Sequence, residues 1–513
     1  MVKIAWVCSI LLLSCVLVLP LAAVSDPIRT DSGQIAGAAG HNAGIQVYKG
    51  IPYAAPPVGD LRWKEPQQVA AWKGVRPATE FSAECMQAPY PEGSMYYQAP
   101  QPTGEDCLTL NVWTAAKSTS EKRPVMVWIH GGAFTRGSGD TPTYDGETLA
   151  GKGVVVVTIN YRLGIFGFYA HPELSKESPH HVSGNYALLD QIAALQWVHK
   201  NIAAFGGDPG KVTIFGESAG SWAVNLLMAT PLSKGLIHRV IGESGANFNR
   251  RLTLADAEKS GASFAERQGA KSLADLRAKS AEDLLKAGGQ FGVNIDGWFL
   301  PRSVADIFAL GQQNDVPLLA GYNQDEATSL TQPLSGGAQA FLAQAKTRYG
   351  KMADDFLKVY PAGSDSEAAE SYNQAFRDTT FGWEMRTWVR QQSTTGKSKA
   401  YLYFFTRNPP GPTAARYRAY HASEIAYVFG TLNPPRPWED VDRALSDKMS
   451  SYWFNFAATG DPNGKGLPAW PAYTTADDPS LVLGDKIEVR HEVNKAGLDF
   501  LDRYFAAQAA GNR

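Results

Sequence analysis

The chain has 513 residues, of which 44% are hydrophobic and 11% aromatic, and its formal net charge is −2. This near-neutral charge gives no basis for nucleic-acid binding or for strong electrostatic steering. No Cys/His cluster has metal-ligand spacing, and no P-loop or dinucleotide-binding glycine motif stands out. The sequence therefore implies no metal and no cofactor.

The first 25 residues have the pattern of a secretory signal peptide. Lys3 precedes an apolar run over residues 4–18, and Ala23-Val24-Ser25 supplies the small residues for cleavage before Asp26. The alternative is a retained membrane anchor. Because no later stretch is long and apolar enough to span a bilayer, we predict a secreted or periplasmic protein with no membrane contact after cleavage.

Signal cleavage would leave two cysteines, Cys85 and Cys107, in a chain addressed to an oxidising compartment. We therefore predict a single disulfide between them. The enclosed segment contains Tyr90, Tyr96 and Tyr97. These aromatic side chains either form a rim of the substrate cleft or simply pack within the loop.

Strand-like and helix-like segments alternate through the middle of the chain. Apolar runs at residues 124–129 and 154–159 predict buried strands, and residues 186–205 predict a helix. This alternation is typical of an α/β fold with a mostly parallel sheet covered by helices. The polar, helical stretches at about residues 250–300 and 330–395 are then expected to be insertions over the active-site face.

A glycine-rich loop, His130-Gly131-Gly132-Ala133-Phe134, follows the strand at residues 124–129. Small residues allow backbone N–H groups to approach a reacting carbonyl closely. A loop of this kind, upstream of a nucleophilic serine, is typical of an oxyanion hole. We interpret His130 as a structural residue of the loop, because it precedes the serine.

The pentapeptide Gly216-Glu217-Ser218-Ala219-Gly220 lies between a strand-like run at residues 211–215 and a helix-like run at residues 221–228. A serine on such a turn is a candidate nucleophile, and the N–H of Ala219 at the helix start is a candidate oxyanion donor. Ser244 lies in a similar pattern that has Ala246 in place of the last glycine. We interpret Ser244 as a residue that packs near the nucleophile or supports it.

A nucleophilic serine needs a histidine base, which in this type of sheet follows the acid in the chain order serine, acid, histidine. Three histidines follow Ser218: His238, His421 and His491. His238 leaves no room for an acid-bearing strand, and His491 lies between charged residues near the chain end. His421, in a loop that enters a short apolar segment, is the predicted base.

The acid is expected at the end of a strand between Ser218 and His421. The apolar run at residues 315–321 leads into Asp325 and Glu326. Either carboxylate could accept the imidazole N–H, so the chemistry alone leaves both open.

Together these motifs resemble the type-B carboxylesterase/lipase family, the cholinesterase-like branch of the α/β-hydrolases. Further similar segments lie at residues 48–54, 105–112, 160–164, 205–209 and 459–463. The resemblance covers nearly all of the mature chain. It implies an α/β-hydrolase fold, with a large, mostly parallel central sheet covered by helices and helical insertions over the active site.

The resemblance also implies the roles of individual residues. It favours Glu326 over Asp325 as the acid, and it gives the triad Ser218, Glu326 and His421 with oxyanion donors at Gly132, Ala133 and Ala219. Many family members have glycine where this chain has Ala133 and Ala327. Alanine keeps the backbone N–H at both positions.

We therefore predict a signal peptide at residues 1–25 and a single hydrolase domain over residues 26–513. The expected function is hydrolysis of small-molecule carboxylic esters through an acyl-enzyme. The alternatives are a lipase or polyester-cleaving hydrolase, and a non-catalytic, cholinesterase-like binding protein. Phe134, Trp222 and the disulfide loop either shape the substrate pocket or are simply packed. The sequence indicates no oligomeric state.

Overall fold

The computed structural model describes residues 26–511, so the predicted signal peptide at residues 1–25 lies outside the described residues. The strands are β1 (Ile28–Arg29), β2 (Gln34–Ala36), β3 (Ala38–Ala39), β4 (Gln46–Pro52), β5 (Val75–Pro77), β6 (Glu84–Cys85), β7 (Thr103–Gly104), β8 (Thr109–Thr114), β9 (Arg123–Ile129), β10 (Val155–Ile159), β11 (Gly207–Glu217), β12 (Arg239–Glu243), β13 (Leu318–Asn323), β14 (Ala400–Phe405), β15 (Pro479–Leu483) and β16 (Ile487–His491).

The helices are α1 (Glu147–Lys152), α2 (Gly164–Phe168), α3 (Pro172–Glu177), α4 (Tyr186–Asn201), α5 (Ala219–Ala229), α6 (Leu254–Arg267), α7 (Leu273–Arg277), α8 (Ala281–Ala287), α9 (Val304–Ala309), α10 (Ala327–Leu330), α11 (Gly337–Tyr349), α12 (Ala353–Val359), α13 (Asp365–Arg377), α14 (Trp383–Thr395), α15 (Ala414–Tyr417), α16 (Ile425–Phe429), α17 (Asp440–Thr459) and α18 (Lys495–Gly511). A short π-helical segment, Asp378–Gly382, joins α13 to α14. No helix within residues 26–511 combines the length and the apolarity needed to cross a membrane.

An 11-stranded sheet forms the centre of the fold, with strand order β16-β15-β14-β13-β12-β11-β9-β10-β8-β4-β3. The strands from β10 through β9 and β11 to β15 pair in parallel, and the outer pairs on both sides are antiparallel. The prediction of a large, mostly parallel sheet is confirmed. In such a sheet the carboxyl ends of all parallel strands lie at the same edge, where α/β proteins build their sites.

The two faces of the sheet carry two separate hydrophobic cores. In β9, Val125, Val127 and Ile129 enter one core, whereas Met126 and Trp128 enter the other. This alternation follows from the two-residue period of a strand. Because both faces are buried, the strand is apolar along its whole length, as the sequence at residues 124–129 indicates.

The two predicted insertions are both helical. Helices α6, α7 and α8 occupy residues 254–287 and contribute to a smaller core of their own with Trp63 and Tyr169. Helices α11 to α14 occupy most of residues 337–395, and α14 packs on β13 and β14. This second insertion reaches the carboxyl edge of the sheet, since the Phe381 ring stacks on His421 with ring centroids 4.8 Å apart.

Candidate active site

The predicted site residues follow the carboxyl ends of neighbouring parallel strands. The glycine-rich loop follows β9, Ser218 follows β11, Ser244 follows β12, Glu326 follows β13, and His421 lies in the loop region beyond β14. Residues far apart in sequence therefore come together at one edge of the sheet.

Ser218 occupies a strained turn between β11 and α5. Its backbone has φ 57° and ψ −120°, a conformation that L-residues rarely adopt. Its N–H donates to the carbonyl of Glu243 at 2.8 Å. Glycine is required on both sides, because a Cβ at Gly216 or Gly220 would lie 2.5 or 1.9 Å from the carbonyl oxygen of Ile129. The predicted strand-turn-helix is present, with the helix beginning at Ala219.

Glu326 and His421 form a buried pair. The imidazole Nδ1 lies 2.6 Å from Oε2 of Glu326, and both side chains are almost wholly shielded from solvent. The other carboxylate oxygen, Oε1, accepts hydrogen bonds from the Ser244 hydroxyl at 2.6 Å and from the Asn323 N–H at 2.8 Å. These donors fix the orientation of the carboxylate that in turn fixes the imidazole ring.

Asp325, which the residue chemistry left open as the acid, faces a different set of groups. Its carboxylate lies 2.9 Å from the Arg418 guanidinium and accepts the Ala419 N–H at 3.2 Å. Burial raises the pKa of this carboxyl group, and Arg418 opposes the rise. Asp325 therefore anchors the loop that leads to His421, and Glu326 is the carboxylate in contact with the imidazole.

A second glutamate, Glu217, contacts the opposite side of the imidazole, a contact that sequence reasoning missed. Its Oε1 lies 3.0 Å from Nε2 of His421, without hydrogen-bond alignment, since Oε1 has no hydrogen-bond partner among the described residues. Burial, together with the negative charges of Glu326 and Glu243, raises the pKa of Glu217 well above its usual range. The available signal was its position, immediately before the serine.

Two further buried glutamates surround this centre. Burial raises the pKa of Glu243 to about 8, although the Trp453 indole N–H donates to it at 2.8 Å. Burial and the neighbouring carboxylates also raise the pKa of Glu424, which accepts a hydrogen bond from the Asn323 amide. Despite these acidic groups, no set of three or more His, Cys, Asp or Glu side chains within residues 26–511 is arranged to hold a metal ion.

The glycine-rich loop lies directly against Ser218. A Cβ at Gly131 would lie 3.2 Å from the Ser218 Cβ, and Gly132, Ala133 and Phe134 have consecutive positive φ angles of 102°, 55° and 60°. These positive φ angles turn the chain sharply beside Ser218, and the small side chains leave its backbone accessible there. Ala133 adopts the left-handed conformation that glycine has more readily, at a cost of about 1 kcal/mol. Ala327 begins helix α10, so that position needs no glycine.

The disulfide loop connects two parts of the site. Cys85 and Cys107 are bonded, as predicted. Gln87 forms a pair of hydrogen bonds with the backbone of Gly137, which follows the glycine-rich loop. The Tyr96 hydroxyl donates to the carbonyl of His421 at 3.0 Å and lies 2.7 Å from Ser329 Oγ. Tyr96 therefore contacts the backbone that carries His421, and its ring also packs within the loop against Tyr90, with centroids 5.8 Å apart.

His491 and His130, which are not predicted to be the base, make other contacts. His491 is exposed on the outermost strand, β16, with Nδ1 2.8 Å from the Asp477 carbonyl. His130 is buried, and its ring stacks on Tyr161 with centroids 4.3 Å apart. Burial lowers the pKa of His130 to about 4, so its imidazole stays neutral and packs the loop.

The family model and the similar known proteins described below agree on one family. The model of the Carboxylesterase family matches residues 25–501. Fumonisin B1 esterase of Sphingopyxis macrogoltabida is 38% identical over 480 residues, which cover 89% of this chain and 86% of that protein. Para-nitrobenzyl esterase of Bacillus subtilis is 36% identical over 489 residues, which cover 91% of this chain and 96% of that protein.

The fold comparison agrees with the sequence comparison. The structure of a thermophilic PNB esterase matches with a TM-score of 0.80 and 34% identity, covering 92% of this chain and 99% of that one. The shared region therefore includes the central sheet together with the loops at its carboxyl edge. The chain belongs to the carboxylesterase family and is an enzyme that hydrolyses carboxylic esters.

Proposed function

We propose that the protein hydrolyses small-molecule carboxylic esters through an acyl-enzyme on Ser218, with His421 as base and Glu326 as acid. The observation that carries this proposal is the buried contact of 2.6 Å between His421 Nδ1 and Glu326 Oε2 beside the strained Ser218 turn. A carboxylate at Nδ1 holds the imidazole in the tautomer whose Nε2 is free to accept a proton.

In the proposed reaction the Ser218 hydroxyl attacks the ester carbonyl while its proton passes to Nε2 of His421. The carbonyl oxygen, now negative, accepts hydrogen bonds from the N–H groups of Gly132, Ala133 and Ala219. The imidazolium then gives its proton to the leaving alcohol oxygen, and the acyl group stays on the serine. Water repeats the sequence, so that the acid is released and the hydroxyl is restored.

The backbone supports these oxyanion roles at two points. Ala219 is the first residue of α5, where N–H groups have no partner within the helix and the helix dipole favours negative charge. The loop with Gly132 and Ala133 packs against Ser218 through Gly131, so N–H groups from both segments can face one oxygen.

A fluorophosphonate probe tests the nucleophile directly. The wild-type protein is expected to be labelled at Ser218 and to hydrolyse a soluble aryl ester, whereas Ser218→Ala should lose both properties. Ser221→Ala is a matched control, since this serine lies in the same helix and donates to the Gly245 carbonyl. Labelling of the folded Ser218→Ala protein at the wild-type rate would refute the assignment.

We also propose that the protein is secreted or periplasmic and that residues 26–513 form one hydrolase domain. The support is the signal pattern at residues 1–25 together with the Cys85–Cys107 disulfide, a bond that persists mainly in oxidising compartments. Expression with the native leader, followed by cell fractionation and N-terminal sequencing, should give a protein that begins at Asp26. A cytosolic protein that retains Met1 would contradict the proposal.

A further inference from the structure

Arg250 places a positive charge against Trp222, the residue one helical turn after Ser218. Its guanidinium carbon lies 4.1 Å from the centre of the Trp222 ring, and Arg250 forms no salt bridge within residues 26–511. Trp222 is one helical turn after Ser218, and its backbone N–H donates to the Ser218 carbonyl at 2.9 Å. The charge therefore rests on a side chain that is attached to the catalytic turn.

The segment before Arg250 is fixed by buried hydrogen bonds. The Asn247 side chain donates to the Trp222 carbonyl at 2.9 Å, and the Phe248 N–H donates to the Glu384 carboxyl at 2.7 Å. Asn249 and Arg250 then emerge into an exposed stretch. This arrangement holds the start of the exposed segment against the Trp222 ring.

Glu384 is the carboxyl group whose charge acts most on Arg250, but it does not neutralise the Arg250 guanidinium near neutral pH. Glu384 is fully buried, and burial raises its pKa to about 8, so it is largely protonated at pH 7. Stacking on an indole uses one face of the guanidinium, while its N–H groups point outward in the guanidinium plane. Those donors match the two oxygens of a carboxylate.

The position of Trp222 relative to His421 indicates which part of an ester would meet Arg250. His421 must face the leaving-group oxygen, and its ring is surrounded by Phe381, Glu326 and Glu217. Trp222 instead contacts Phe134 of the oxyanion loop, with ring centroids 6.0 Å apart, and lies beside Gly245. Trp222 therefore lies beside the glycine-rich loop and away from the groups around the imidazole, and the acyl part of an ester also extends away from the leaving group.

We infer that Arg250 is a specificity-determining residue that binds a carboxylate in the acyl part of the substrate, so that half-esters of dicarboxylic acids are preferred substrates. This inference rests on the proposed function of Ser218. The reaction itself is unchanged: the ester bond is cleaved by water, and the second carboxylate of the acyl group takes no part in the chemistry.

Three esters of similar size test the inference: monomethyl adipate, methyl hexanoate and the hexanoate ester of glycolic acid. They carry a carboxylate in the acyl part, no carboxylate, and a carboxylate in the alcohol part. The kcat/KM of each is measured by chromatography of the released acid for the wild type, Arg250→Gln and Arg251→Gln. Arg251 is an exposed neighbour whose replacement removes the same charge.

For Arg250→Gln, the ratio of kcat/KM for monomethyl adipate to that for methyl hexanoate should fall roughly 10- to 100-fold, the effect of losing a charged hydrogen bond. Arg251→Gln should keep the wild-type ratio. An unchanged ratio in Arg250→Gln, or an equal fall in both variants, overturns the inference.

A fall confined to the glycolate ester would overturn the acyl-side assignment. A wild-type protein that hydrolyses a soluble aryl ester but none of these three esters would overturn the inference alone, whereas a wild-type protein without activity on the aryl ester would refute the proposed function. Hydrolysis of the aryl ester thus separates the two failures.

Discussion

Tyr96 offers a direct test of whether the disulfide loop positions His421, the proposed base. Its hydroxyl donates to the His421 carbonyl at 3.0 Å and lies 2.7 Å from Ser329 Oγ. Tyr96→Phe removes this hydroxyl and keeps the ring, which packs against Tyr90 with centroids 5.8 Å apart. The substitution therefore probes the hydrogen bonds with little change in packing.

The expected size of the effect follows from the lost hydrogen bonds. A net hydrogen bond contributes about 1 kcal/mol, and a carbonyl left without its donor adds a similar cost, giving about 1–2 kcal/mol. If this lost free energy displaces the imidazole from its reactive position, kcat should fall roughly 5- to 30-fold. KM should change little, because Tyr96 acts on the base and not on substrate binding.

Steady-state hydrolysis of a soluble aryl ester measures both constants, and thermal unfolding shows whether the variants remain folded. Tyr97→Phe is the matched control, since it removes the same hydroxyl from the neighbouring, exposed tyrosine. It should keep wild-type kcat. Equal kcat for Tyr96→Phe and Tyr97→Phe would refute a positioning role for the loop.

Three other substitutions test the supports of the site and the fold. Ser244→Ala removes the hydroxyl that donates to Glu326 at 2.6 Å, and this charge-assisted bond predicts a fall in kcat/KM of roughly 10- to 100-fold; a change below about twofold in an aryl-ester assay would contradict it. Replacing Cys85 and Cys107 by serine opens a loop with a sequence separation of 22 residues and should lower the free energy of unfolding by about 3 kcal/mol. An unchanged denaturation midpoint under the same conditions would argue against that estimate. Burial raises the pKa of Glu384 from 4.5 to about 8, so the folded state keeps a proton that the unfolded chain releases. The free energy of unfolding should therefore fall as the pH rises from about 4.5 to about 8. Urea titrations at several pH values in this range should show a smaller fall in unfolding free energy for Glu384→Gln than for the wild type. The same dependence of unfolding free energy on pH in both proteins would contradict the pKa shift.

The parts of the fold that the sequence predicts best are those with strong local signals. The apolar run at residues 124–129 becomes β9, and the run at residues 211–215 lies within β11, which extends to Gly207–Glu217. The pentapeptide around Ser218 forms the expected turn because glycine is the only residue that avoids the Ile129 carbonyl. Local sterics and periodicity decide these features, so one sequence suffices.

The choice between Asp325 and Glu326 depends on groups distant in sequence. Both residues follow β13, and both carboxylates are buried. Arg418 engages Asp325, whereas Ser244 and His421 engage Glu326. These partners are brought together by the sheet order, which neither periodicity nor residue chemistry reveals. The family resemblance supplied the preference for Glu326.

Ser244, interpreted from its sequence as a residue that packs near the nucleophile or supports it, depends in the same way on distant groups. Ser244 has φ 57°, the same value as Ser218, and each follows a strand of the same parallel pair, β12 and β11. Ser218 leads into the eleven-residue helix α5, whereas Ser244 leads into a non-helical turn and directs its hydroxyl to Glu326. Two similar turns therefore differ in role because of the contacts that surround them.

The proposed mechanism needs one charged carboxylate at the imidazole and a neutral environment where the proton moves. Glu326 contacts Nδ1 and is held in place by the Ser244 hydroxyl and the Asn323 N–H, so that its carboxylate can stabilise the imidazolium. Glu217 contacts Nε2, and burial together with the charges of Glu326 and Glu243 raises its pKa well above the usual range. An anionic Glu217 would hold a proton on Nε2 and so prevent His421 from accepting the proton of Ser218. Burial of Glu217 among other glutamates, which raises its pKa, acts against that anionic form.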